Sequence, residues 1–75
     1  MDAKNKIINA YLSSRKLELY FNELKDLTKL SNSSLQNALK IMVSNNLLSV
    51  KKTKAHTFYK ILNKKYFAIQ FSDIS

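Results

Sequence analysis

Between Glu23 and Leu62 the apolar residues change period, from helical intervals to alternation, and that change limits what the chain can fold into. Leu24, Leu27 and Leu30 recur three apart, and Leu35, Ala38, Leu39 and Met42 recur at offsets that gather on one helical face. Between them lies Ser31-Asn32-Ser33-Ser34, where the Ser31 hydroxyl can accept the free amides of a new helix while Leu30 packs beneath it. The spacing predicts helices over 22–28 and 32–45 joined by a tight turn. Beyond them, two β-prone runs flank the polar Lys51-Lys52-Thr53-Lys54-Ala55 and predict a hairpin over 47–62. No Asn-Gly or Asp-Gly fixes its turn, so the loop is expected to exceed two residues and to be flexible.

Upstream, Asp2 can cap a first helix over 2–14 whose stripe is Ile7, Ile8, Tyr11 and Leu12, with Lys4, Lys6 and Asn9 facing outward. Leu17, Leu19 and Phe21 alternate with Glu18 and Tyr20, a period of two that suits a strand over 17–21; Asn22 is then the expected cap of the next helix. Tyr66, Phe67, Ile69, Phe71 and Ile74 fit a final helix or a final strand over 64–74 equally well. The expected fold class is α+β, mostly α, in one domain over 1–75. A helix, a short turn and a second helix make a helix-turn-helix arrangement.

Seventy-five residues with 45% apolar content lie near the lower size at which one core suffices, and are too hydrophobic for a disordered tail. Without cysteine there is neither a disulfide framework nor a thiolate metal site. No apolar run approaches the roughly 18 residues of a membrane span, and Met1-Asp2 opens without a signal-peptide pattern, so a cytoplasmic location is expected. Glycine and proline are absent, so left-handed backbone positions fall to other residues, Asn45-Asn46 standing in for a helix-ending glycine.

Charge indicates the partner. Against thirteen basic residues stand five acids, Asp2, Glu18, Glu23, Asp26 and Asp73, and none lies between Leu27 and Ser72. That stretch carries Lys29, Lys40, Lys51, Lys52, Lys54, Lys60, Lys64 and Lys65, equal to the whole formal charge of +8. Such an excess favours a polyanion, since each phosphate neutralised releases counterions.

The order helix, strand, helix, helix, strand, strand resembles the winged-helix domain over residues 2–62. Its most specific part, ELKDLTKLSNSSLQNALKIMVSNNLL, is similar to the second and third helices of small bacterial and archaeal winged-helix regulators. Leu30, Ser31, Ser34 and Leu35 stand where that family has a hydrophobic residue, a Ser cap, a Ser or Thr and an aliphatic residue, and Thr57-Phe58-Tyr59 resembles its returning wing strand. Lys29 departs from the pattern: it stands where the turn often has glycine, which implies a turn of slightly different shape.

The resemblance implies a third helix that enters the major groove of double-stranded DNA. Its outward residues, Asn32, Ser33, Gln36, Asn37 and Lys40, are the candidates for base contact, because Asn and Gln can bond adenine bidentately and Lys can donate to guanine. Ser31 and Ser34 could meet phosphate at the helix start, Ser31 being more a cap than a contact. Lys51, Lys52, Lys54 and His56 are the candidates for phosphate or minor-groove contact from the wing, with His56 a partly exposed strand residue. Tyr11, Tyr20, Tyr59 and Tyr66 read as core or interface.

A lone histidine, scattered acids and no glycine for a phosphate-cradling loop remove the usual catalytic constellations; no enzyme activity, cofactor, metal or small-molecule ligand is expected. The expected function is sequence-specific duplex binding by a repressor-like transcriptional regulator, a homodimer through the helix at 2–14 and residues 66–74. The rival readings are a protein-interaction module of the same fold, the N-terminal DNA-binding part of a larger protein, and RNA binding, disfavoured because the third helix has no aromatic platform.

Overall fold

A computed structural model describes residues 2–62 as three helices and a three-stranded antiparallel sheet. In chain order these are α1 (Ala3–Ser14), β1 (Glu18–Tyr20), α2 (Phe21–Thr28), α3 (Asn32–Ser44), β2 (Leu48–Lys52) and β3 (Thr57–Ile61). The fold is α+β and mostly helical. The helix or strand expected over 64–74, and the part of the dimer interface expected over 66–74, lie outside the described residues.

Each helix starts where a side chain satisfies amides that have no partner within the helix. Asp2 accepts from the Asn5 amide at 2.9 Å and begins α1, and Ser31 accepts from the Ser34 amide at 3.3 Å and begins α3. The start of α2 differs from the expectation. Its N-cap is Tyr20, not Asn22, and the Glu23 carboxylate reaches back to accept from the Tyr20 amide at 3.1 Å. This turns the chain at Tyr20, so β1 is limited to Glu18–Tyr20, Phe21 belongs to α2, and Leu17 is 47% exposed instead of lying on a buried strand face.

Three non-glycine residues take left-handed backbone where helices end: Arg15 (φ 57°), Lys29 (φ 61°) and Asn46 (φ 61°). Lys29 adopts the conformation that glycine favours, and its amide donates to the Lys25 carbonyl at 2.9 Å. Asn45 caps α3, which ends at Ser44, and Asn46 supplies the left-handed step into β2.

Ile7, Ile8, Ala10 and Tyr11 of α1, Leu24 of α2 and Leu35, Leu39 and Met42 of α3 close over Leu19, Leu48 and Ile61 of the sheet. Leu27 does not join them: it is 47% exposed, because the inward face of α2 runs from Leu24 to Thr28, four residues on. Buried Thr28 donates its hydroxyl to the Leu24 carbonyl at 2.7 Å and accepts from the Leu30 amide at 3.3 Å, satisfying the turn between the two helices.

In the sheet β3 is central, with the order β1-β3-β2. Leu48 pairs with Ile61, Val50 and Leu19 both pair with Tyr59, and Lys52 pairs with Thr57; because directly opposed residues share a face, these form the inner face towards the helices. Glu18, Tyr20, Ser49, Lys51, Phe58 and Lys60 form the outer face, and none of them belongs to the core. The buried Tyr11 hydroxyl donates to the Tyr59 carbonyl, tying α1 to the central strand. Burial, followed by the nearby Tyr59, Glu18 and Glu23, pushes the Tyr11 phenol well above its ordinary value, which keeps it a donor. Among the described residues no helix is long and apolar enough to cross a membrane.

Two substitutions test the turn between α2 and α3. Lys29→Gly relieves a left-handed lysine and is expected to stabilise by about 1 kcal/mol, raising the melting temperature by roughly 4–8 °C in thermal unfolding followed by circular dichroism. Thr28→Val leaves the half-buried Leu30 amide without its acceptor and is expected to cost about 1 kcal/mol, whereas Thr28→Ser retains most of the stability.

Candidate nucleic-acid interface

The buried stripe of α3 fixes its opposite side to solvent. With Leu35, Leu39 and Met42 in the core, Asn32, Ser33, Ser34, Gln36, Asn37 and Lys40 are all exposed, and so are Ile41 and Ser44. Neither α3 nor the β2–β3 hairpin carries a carboxylate. The Ser31 hydroxyl is engaged as the cap of α3, while Ser33 and Ser34 present theirs outward from its first turn.

Gln36 and Lys40 come together with the hairpin. They line a groove of about 300 Å³ with Val43 and Ser44 of α3 and with Val50 and Tyr59 of the sheet. Val50 is 45% exposed and Tyr59 is half-buried, so the groove has an apolar floor and a polar, basic rim. Burial raises the Tyr59 phenol above its ordinary value, and the ring stays neutral. Sequence reasoning assigned Tyr59 to the core and passed over Val50 as an exposed group. The period of two within β2 was the available signal, once the strand's facing was known.

The hairpin lysines do not share a face. Lys52, paired with Thr57, lies on the inner face beyond Val50; Lys51, paired with Phe58, lies on the outer face together with Lys60. Lys54 sits in the loop at 53–56. That loop is closed by Thr53, whose amide donates to the His56 carbonyl at 2.8 Å, and whose hydroxyl donates to the same carbonyl and accepts from the His56 amide, each at 3.0 Å. The four residues 53–56 form a hydrogen-bonded turn, longer than two residues as the missing turn signature led one to expect.

His56 lies in this turn and not on a strand. Its imidazole stacks on Tyr20, ring centroids 4.1 Å apart and planes inclined by 27°, and Phe58 meets both rings edge-on at 5.8 and 5.9 Å. Of the two expectations for Tyr20, core or interface, the core is excluded: it belongs to an aromatic trio on the outer face. Below the trio, Lys16 bonds Glu23 at 3.1 Å. Burial acts to raise the Glu23 carboxyl, but the Tyr20 amide, Lys16 and the nearby His56 outweigh it and hold the group below its ordinary value. With Glu23 occupying the amide end of α2, that helix start is no open anion site.

Among the described residues, no group of three or more His, Cys, Asp or Glu side chains could hold a metal ion. Compared with models of known protein families and with curated proteins, the chain matches none.

Because the Glu23 carboxyl is depressed in the fold, its contribution to stability is complete above about pH 4.5, its ordinary value, and drains away as the pH falls through the depressed one. Glu23→Gln is expected to lower stability at neutral pH and to flatten the loss of stability on acidification. Parallel denaturant titrations of both proteins across the acid range measure this, and equal slopes would remove Glu23 from the account.

Proposed function

We propose that the chain is a winged-helix protein that binds double-stranded DNA sequence-specifically, with α3 in the major groove and the β2–β3 hairpin as the wing, and that it acts as a repressor-like transcriptional regulator. One observation carries the reading: an acid-free, exposed face of α3 stands beside a basic hairpin, with Gln36 and Lys40 on their common groove. A helix of this kind fits the major groove, where Gln36, Asn37 and Asn32 can pair with adenine edges and Lys40 with guanine or a phosphate. Lys52, on the α3 side of the hairpin, and Lys54, at its turn, supply sequence-independent attraction to the backbone. Ser33 and Ser34 add hydroxyl donors at the start of α3, where the helix dipole favours an anion.

A homodimer on paired half-sites belongs to the same proposal. The apolar stripe of α1 is already spent on the core, so α1 would contribute its other side. A protein-interaction role is the second reading, and exposed Ile41 on α3, away from the hairpin groove, is the observation in its favour.

Selection of bound duplexes from a random pool, followed by fluorescence anisotropy over a range of salt, tests the proposal. Gln36→Ala and Asn37→Ala are expected to lower discrimination among selected sites by roughly tenfold while leaving random duplex binding nearly intact. Lys52→Ala with Lys54→Ala should weaken every duplex and flatten the salt dependence. Paired half-sites about 10 base pairs apart support the dimer, and single half-sites oppose it. Failure of the wild-type protein to bind any duplex at low salt would leave the protein-interaction reading standing.

A further inference from the structure

The outer face of the sheet is a second surface, unrelated to the groove beside α3. The eleven members of the apolar core among the described residues come from the helices and the inner sheet face, and Tyr20, His56 and Phe58 are not among them. His56 is exposed and its two neighbours are half-buried. Lys51 pairs directly with Phe58, and Lys60 stands two residues along β3 on the same side; among the described residues the nearby acids are Glu18, paired with Lys60, and Glu23, which is held by Lys16 and the Tyr20 amide. Flat rings flanked by lysines suit a polymer that offers both planar faces and regularly spaced negative charge. Unpaired nucleobases on a phosphodiester backbone have both, whereas a duplex buries its base faces in its own stack.

We propose that this face binds single-stranded DNA, with bases stacked on the Tyr20–His56–Phe58 trio and phosphates on Lys51 and Lys60. The hairpin then works from both sides: Lys52 and Val50 face α3, and Lys51 and Phe58 face the unpaired strand. The choice of DNA over RNA rests on the duplex-binding reading, since a strand leaving a duplex held against α3 has only the hairpin to cross. The stacking surface itself stands without that reading. It also differs in kind from an aromatic platform on α3, which the sequence lacks.

The test uses the full chain and a labelled oligothymidylate, which has no secondary structure of its own, beside a blunt duplex and the matching oligouridylate. Oligothymidylate should bind and shift the His56 ring-proton resonances, which are unambiguous because the chain has one histidine. Tyr20→Leu with Phe58→Leu should weaken single-strand binding roughly tenfold or more and leave duplex binding unchanged, which also reports that the variant is folded. Should that pair fail to fold, His56→Ala, at an exposed turn position, is expected to weaken oligothymidylate binding in smaller measure. Duplex binding without oligothymidylate binding overturns this proposal and spares the previous one; the reverse result does the opposite. Tighter binding of oligouridylate overturns the choice of DNA. An unmoved His56 resonance, as when residues 63–75 or a second copy occupy the face, overturns the site.

Discussion

The hydrogen bond from Tyr11 to the Tyr59 carbonyl joins the helical layer to the central strand, and the sidedness of the whole molecule follows from that junction. With Tyr11 buried against the sheet, Leu19, Leu48 and Ile61 have one direction in which to leave water, and their strand neighbours must face the other way. Burial raises the Tyr11 phenol well above its ordinary value, which keeps the donor protonated at neutral pH. Both proposed surfaces lie on the sheet that this contact helps to seat, and Tyr59 belongs to the groove beside α3.

The groove beside α3 and the trio on the outer face divide the polar chemistry of the hairpin. On one side are Val50, Tyr59 and Lys52, within reach of a helix rich in amide and hydroxyl groups; on the other are Phe58, Lys51 and Lys60, with rings of Tyr20 and His56 alongside. Hydrogen-bonding edges suit base pairs viewed from a groove, and flat rings suit bases viewed from above. On the proposed reading the described residues offer two chemically different surfaces from one sheet, because its two faces carry different side chains.

Much of the fold was legible because the strongest signals were local. The stripe Leu35, Leu39 and Met42 and the cap at Ser31 needed no information from elsewhere in the chain, and α3 lies within one residue of its expected limits. Lys29 stood out only through the resemblance, as a departure that implied a turn of slightly different shape, and its left-handed backbone came with the structure. The start of α2 was missed because tyrosine is not among the usual capping residues, although Glu23 three positions on was in plain view. What depended on pairing was not legible. Nothing local relates Tyr20 to Phe58, or says that Lys51 and Lys52 part company, since no turn signature sets the register of the hairpin. The candidate residues of α3 were thus named individually, while the sorting of the lysines and the stacked rings required the sheet.

That register has an evolutionary side. Alternation has only two phases, so one residue gained or lost within β2 would carry Lys51 towards α3 and Lys52 away from it, and would try to place Ser49 where Leu48 packs on Ile61. The core would resist the change before any binding surface felt it. An added residue is accommodated better in the turn, where Thr53 and His56 close the loop over two intervening residues, than in the strands, whose pairing fixes the face of each side chain. The packing that stabilises the domain also acts as a proofreader of which charges belong to which side.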